Sequence, residues 1–136
     1  MLEFTDKFDS FVCMGDSISV DHDGFTISAR IEFDDQYTID DDDAHNVDQS
    51  VTGCDDEQQE TLLKNRRAWM ENEWWYGGVV LSVSKNDIML DEHAASLWGI
   101  EINYPTSDNG YLTDVANELL SEALERGHDA IESLTS

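Results

Sequence analysis

The chain of 136 residues is long enough for one domain with a buried core, and its 40% hydrophobic content, with four Trp, five Phe and four Tyr, argues against disorder. Thirty-one acidic residues stand against seven Lys and Arg, a formal net charge of −24. That charge argues against nucleic acid or an anionic membrane as a direct partner and leaves cations and basic surfaces as the natural ones.

The opening "MLEFTDKFDS" lacks the basic start and apolar core of a signal peptide, and no apolar run approaches membrane-spanning length. A soluble cytoplasmic protein is the expectation. "FVCMGDSISV" (11–20) predicts a strand interrupted near Gly15, and "DHDG" predicts a hairpin turn. In "FTISARIEF" (25–33), Phe25, Ile27, Ala29, Ile31 and Phe33 alternate with polar residues, the period of a half-buried strand.

Residues 34–54 follow as an acidic connection, with room for an edge strand around Tyr37–Ile39. No basic residue occurs between Arg30 and Lys64, while twelve acids do. A helix is predicted over about 56–75, its first turn carrying Asp56, Glu57 and Glu60 where the helix dipole favours negative charge. Leu62, Leu63, Trp69, Met70 and Trp74 or Trp75 are its expected inner face, with one of the two adjacent tryptophans partly exposed. "VVLSVS" (79–84) and "IML" (88–90) predict a second hairpin with a tight turn at Asn86–Asp87. "DEHAASLWG" reads as a short helix ending at Gly99, and "IEINY" (100–104) as a strand or extended connection. The last helix is expected from about 109 to 126, ending at Gly127, with a looser turn in "DAIESL". The fold class is α+β: a mainly antiparallel sheet of two hairpins, with a middle helix and a long C-terminal helix packed on it.

Motifs for catalysis are missing. His22, His45, His93 and His128 are scattered, and no HExxH, nucleophile spacing or phosphate loop occurs. With 31 carboxylates, any acid/base pairing is unspecific. An EF-hand register begun at Asp40 places His45 sixth and Val51 twelfth, where glycine and glutamate are needed; one begun at Asp21 places Gly24 two positions early. His22, between Asp21 and Asp23, reads as a solvated turn residue, and Cys13 and Cys54 as buried free thiols. No enzyme activity, metal or cofactor is expected.

Two features remain. "TIDDDDAHNVD" (38–48) holds Asp40, Asp41, Asp42, Asp43 and Asp48, inside a wider acidic stretch with Asp34, Asp35, Asp55, Asp56 and Glu57. In the last helix, Leu112, Val115, Ala116, Leu119, Leu120 and Ala123 make an apolar stripe. Opposite it stand Asp114, Glu118, Glu122 and Glu125, at spacings that stack like charges and cost a few tenths of a kcal/mol per pair. A solvated helix face ordinarily interleaves lysine or arginine, and here only Arg126 appears.

In size, charge and acid patterning the chain resembles the acidic DNA-mimic inhibitors made by phages and conjugative plasmids, which block host restriction or CRISPR effectors. The resemblance is one of class, with no motif, so no residue role is carried over from it. It implies a non-catalytic protein in a bacterial cytoplasm that occupies the basic groove of a nucleic-acid-binding protein, as monomer or homodimer. The carboxylates named above are the candidate contacts. Two other readings stand beside it: an antitoxin- or chaperone-like module binding a basic partner without mimicry, and salt adaptation of a halophile.

A charge of −24 repels itself, and about 0.1 M salt screens exposed charges beyond about 10 Å. The melting temperature should therefore rise between low and moderate sodium chloride. An unchanged value would mean that internal pairing already compensates the acids, and unfolding below about molar salt would favour the halophile.

Overall fold

A computed structural model describes residues 3–37, 56–71, 73–105, 107 and 109–135, less the side chains of 56–59, 62 and 135. Four antiparallel strands, β1 (Ser17–His22), β2 (Phe25–Phe33), β3 (Trp75–Lys85) and β4 (Ile88–Ile102), form one sheet in the order β1-β2-β3-β4. Helix α1 (Asp56–Met70) lies in the β2–β3 connection, and α2 (Gly110–Thr135) ends the chain. The α+β class and the two hairpins are as the sequence indicates.

Both hairpin turns have the left-handed pair of residues that suits strand twist. Asp23 and Gly24 have φ of 52° and 83°, and Asn86 and Asp87 have 52° and 66°. In β2 the period-2 pattern buries Phe25, Ile27, Ala29 and Ile31 on one face. These align with β3 as Ile27↔Val83, Ala29↔Leu81 and Ile31↔Val79. Phe33 departs from the alternation: it is 53% exposed and its ring lies 6.0 Å from that of Trp75.

The largest departure from the sequence reading is β4. Residues 91–99 are strand, not helix, because β4 carries extra residues against β3. The register steps from Val83↔Asp91 to Leu81↔Ala95, and is also irregular between Val83 and Ser84 and between Gly77 and Val79. These bulges let Ala94 and Ala95 both be buried and break the period-2 signal.

Two other boundaries differ. The strand expected over 11–20 begins only at Ser17, with Gly15 in a turn, and Cys13 there is exposed rather than buried. Helix α1 stops at Met70, so Trp74 and Trp75 belong to the entry of β3: Trp74 is buried and Trp75 partly so. Leu63 and Met70 are exposed; α1 instead presents Ala68 and Trp69 to Trp74 and Tyr76. Asn65 fixes that contact, its carbonyl accepting from Trp74 Nε1 at 2.9 Å and its amide donating to Tyr104 Oη at 2.8 Å. Tyr37, outside any strand, sets its ring edge-on to Tyr76; residues 38 and 39 of the expected edge strand lie outside the described residues.

Helix α2 lies on the face of the sheet formed by the buried β2 and β3 residues. Leu112, Ala116, Leu120 and Ala123 are fully buried against that face. Gly127 does not end the helix, which runs on to Thr135. A Cβ at Gly127 would meet Val83 Cγ2 at 2.9 Å and the Phe25 ring at 3.1 Å, so glycine is there for close approach, not for a cap.

The segment before β1 has no regular structure, yet it buries Phe4, Phe8 and Val12. The backbone donors of these three buried residues are satisfied by side chains: Phe4 N by Asn117 Oδ1 at 2.8 Å, Phe8 N by Thr113 Oγ1 at 3.0 Å and Val12 N by Asn103 Oδ1 at 2.9 Å. Buried Asn109 holds the same corner, donating from Nδ2 to Ser10 O and Asn103 Oδ1 and accepting from Asn103 N. Nearby, Tyr111 has a phenol pKa pushed up to about 12, because burial disfavours the phenolate while Ser107 opposes and Glu101 reinforces the shift. Its hydroxyl has no well-formed hydrogen bond among the described residues.

Gly127→Ala gives a prediction whose sign is informative. On an exposed helix surface this change stabilises by about 1 kcal/mol. Against Val83 and Phe25 it should destabilise, lowering the urea midpoint; a raised midpoint would mean that α2 does not lie this close to the sheet.

Candidate functional site

The outer face of α2 is the most strongly patterned surface. At about 100° per residue, Asp114, Glu118, Glu122, Glu125 and Asp129 fall within an arc of about 80°. The buried stripe of Leu112, Ala116, Leu120, Ala123 and Gly127 lies on the opposite side, so burying one face displays the other. All five acids are exposed. None has an ion pair or hydrogen bond among the described residues. Exposed Glu132 continues the arc and has a polar partner of its own.

The row from Asp114 to Asp129 spans about 22 Å of helix, one carboxylate per about 5.6 Å. One strand of duplex DNA carries a charge per about 3.4 Å of axis. The row thus has roughly three-fifths of a strand's linear charge. Asp129 and Glu132 escaped the sequence reading because Gly127 was taken as the end of the helix; continuing the three- and four-residue spacing past it would have found them.

Among the described residues no cation lies within ion-pair distance of this row. Arg126, the one arginine of α2, projects to one flank, about 80° from the row's centre. Arg30 is on the sheet, its Nε 3.2 Å from Glu32 Oε2 without a well-aligned hydrogen bond, and its Nη2 3.4 Å from His93 Nε2. Lys85 Nζ lies 4.7 Å over the Phe25 ring, whose edge meets His128 with centroids 4.8 Å apart.

On the flank away from Arg126 a cleft of about 680 Å³ runs beside the row. Asn117, Ser121, Leu124 and His128 of α2 form one wall, and His22, at the end of β1, faces them. Glu3 reaches the cleft because the segment from Phe4 to Val12 is tied along α2; Glu118 and Glu125 are shared between cleft and row. His22 Nε2 is 3.2 Å from Asp23 Oδ2. The sequence reading of His22 as a turn residue misses this position, which depends on packing between distant segments.

The other candidate contacts divide. Asp34 is only 8% exposed: Oδ1 accepts from Gln36 N and Oδ2 from Gly99 N, both at 3.0 Å, so its carboxylate serves the fold rather than a partner. Asp35 is exposed. Asp56 and Glu57 stand in the first turn of α1, with side chains outside the description, and Asp40, Asp41, Asp42, Asp43, Asp48 and Asp55 lie outside the described residues. Any arrangement of the acidic loop relative to the helical row thus lies outside the described residues. Among the described residues no three His, Cys, Asp or Glu side chains are placed to hold a metal ion, and no helix is long and apolar enough to cross a membrane.

No family model, curated protein or solved structure matches the chain.

Removing the row's repulsion should stabilise the helix. Replacing Asp114, Glu118, Glu122 and Glu125 together by glutamine relieves four like-charge contacts, Glu125–Asp129 among them, and removes one attraction, Glu122–Arg126, a net gain of about 1 kcal/mol at low salt. The melting temperature should rise at low salt, with the gain shrinking as salt is added. A fall would mean that these carboxylates support the fold.

Proposed function

We propose that this protein is a non-catalytic inhibitor that presents the carboxylate row of α2 to the basic groove of a nucleic-acid-binding defence protein, in the place of DNA. One observation carries the reading. Asp114, Glu118, Glu122, Glu125 and Asp129 form an exposed row with no ion pair or hydrogen bond among the described residues, on a helix whose opposite face is fixed to the sheet. Keeping like charges aligned opposes stability, so retaining them uncompensated favours a role in recognition. The −24 charge draws a basic groove at long range and speeds encounter. In this reading the acidic segment 34–57, without Asp34, adds to the charge that draws the partner, and the protein acts in a bacterial cytoplasm without cofactor or metal.

A second reading has its own support. Leu97 and Trp98, 46% and 44% exposed, stand next to each other on the edge strand β4 and offer apolar surface suited to a protein partner bound without mimicry.

Competition separates the two. The tagged chain is used to capture proteins from a bacterial lysate, and the bound material is challenged with duplex DNA. Mimicry predicts a restriction or CRISPR nuclease that DNA releases, with steep loss of binding as salt rises. A partner held equally well when its DNA site is filled contradicts mimicry and favours the β4 surface.

A further inference from the structure

We infer that the cleft beside the row is an anchoring site for an arginine side chain of the protein partner; this deepens the proposed function and rests on the partner being basic. The cleft combines an apolar wall at Leu124 and the His128 ring with carboxylates of Glu3, Glu118 and Glu125, and its far side is the His22 ring with Asp23 beside it. Each part suits a different part of arginine. Its aliphatic stem covers apolar surface, while its weakly hydrated planar guanidinium stacks on rings and donates to carboxylates in pairs. Ser121 Oγ and Asn117 Oδ1 offer further acceptors, the latter already holding Phe4 N.

Other occupants fit less well. An anion meets three carboxylates, and a neutral apolar ligand would strip water from them with nothing in return. A bare metal ion lacks a set of three placed donors among the described residues. A second copy of the chain brings another −24. The volume of about 680 Å³ admits an arginine with its flanking backbone. The position matters as well: the cleft opens on the flank opposite Arg126, so a partner laid along the row meets it without facing the helix's own cation. The row would then supply long-range attraction and the cleft a fixed register.

The probe is a short neutral peptide carrying one arginine, compared with the same peptide carrying citrulline, which keeps the shape and removes the charge. NMR titration of the whole protein should give saturable shifts centred on Ser121, Leu124 and His128 with arginine and at least about tenfold weaker binding with citrulline, the size of one charge-assisted hydrogen bond. Ser121→Trp, which fills the cleft from an exposed helix position without changing charge, should abolish these shifts. Ser121→Lys, which places a cation in the cleft, should do the same, whereas Asp114→Asn, an equal charge change outside it, should leave them. Shifts spread evenly along the row, or unaltered by both Ser121 variants, would overturn the inference. That outcome leaves DNA-displaceable capture intact, whereas failure of mimicry appears as capture that DNA does not displace.

Discussion

The close contact between α2 and the sheet sets everything else on this surface. A helix with one buried stripe has a single rotational setting, and here small side chains tighten it: Ala116, Ala123 and Gly127 lie among Leu112 and Leu120, with Val83 and Phe25 beneath Gly127. Small residues shorten the distance between layers, so a rotation that moved a carboxylate inward would have to push a leucine out of the core. The acids of the row are held outward by the apolar residues, and among the described residues they have no partners of their own. Folding thus uses one face of the element and leaves the other to display charge, which lets charge accumulate without undermining the core.

A second constraint joins distant parts of the chain. The segment from Phe4 to Val12 has no ladder or helix to satisfy its amides, and Asn117, Thr113 and Asn103 supply the missing acceptors. Buried polar groups left unpaired cost about 1–3 kcal/mol each, so the asparagine pair Asn103–Asn109 is a tight specification of this corner. Its functional consequence is indirect: the same strap delivers Glu3 to the cleft, where it faces His22 and the flank of α2. The aromatic group of Trp74, Tyr76, Tyr37 and Tyr104 forms a separate small core, and α1 is joined to it through Asn65, Ala68 and Trp69.

What could be read in the sequence follows from where local pattern and tertiary structure agree. The alternation in β2, the Asp23–Gly24 and Asn86–Asp87 turns and the stripe of α2 are local signals, and each appears in the fold. The middle of β4 was illegible because its bulges insert residues that destroy the period, leaving "DEHAASLWG" with a helix-like composition, while both ends of the strand were read as extended. Gly127 misled for a related reason: glycine serves both helix ends and close packing, and only the neighbouring strand distinguishes them. Asp34 looked like any other acid of its stretch until Gly99 N, 65 residues away in sequence, appeared as its donor. Four of the five carboxylates of the charge row were legible, and the cleft was not legible at all, since Glu3, His22 and His128 meet only through packing.

The central claim is that α2 displays an uncompensated acidic face to a basic partner. Carboxylate labelling with a carbodiimide and a neutral amine, read residue by residue with and without the captured partner, tests it most directly. The account predicts rapid labelling of Asp114, Glu118, Glu122, Glu125 and Asp129 in the free protein and their joint protection in the complex. Protection confined to residues around Leu97 and Trp98, with the row still labelled, would contradict it.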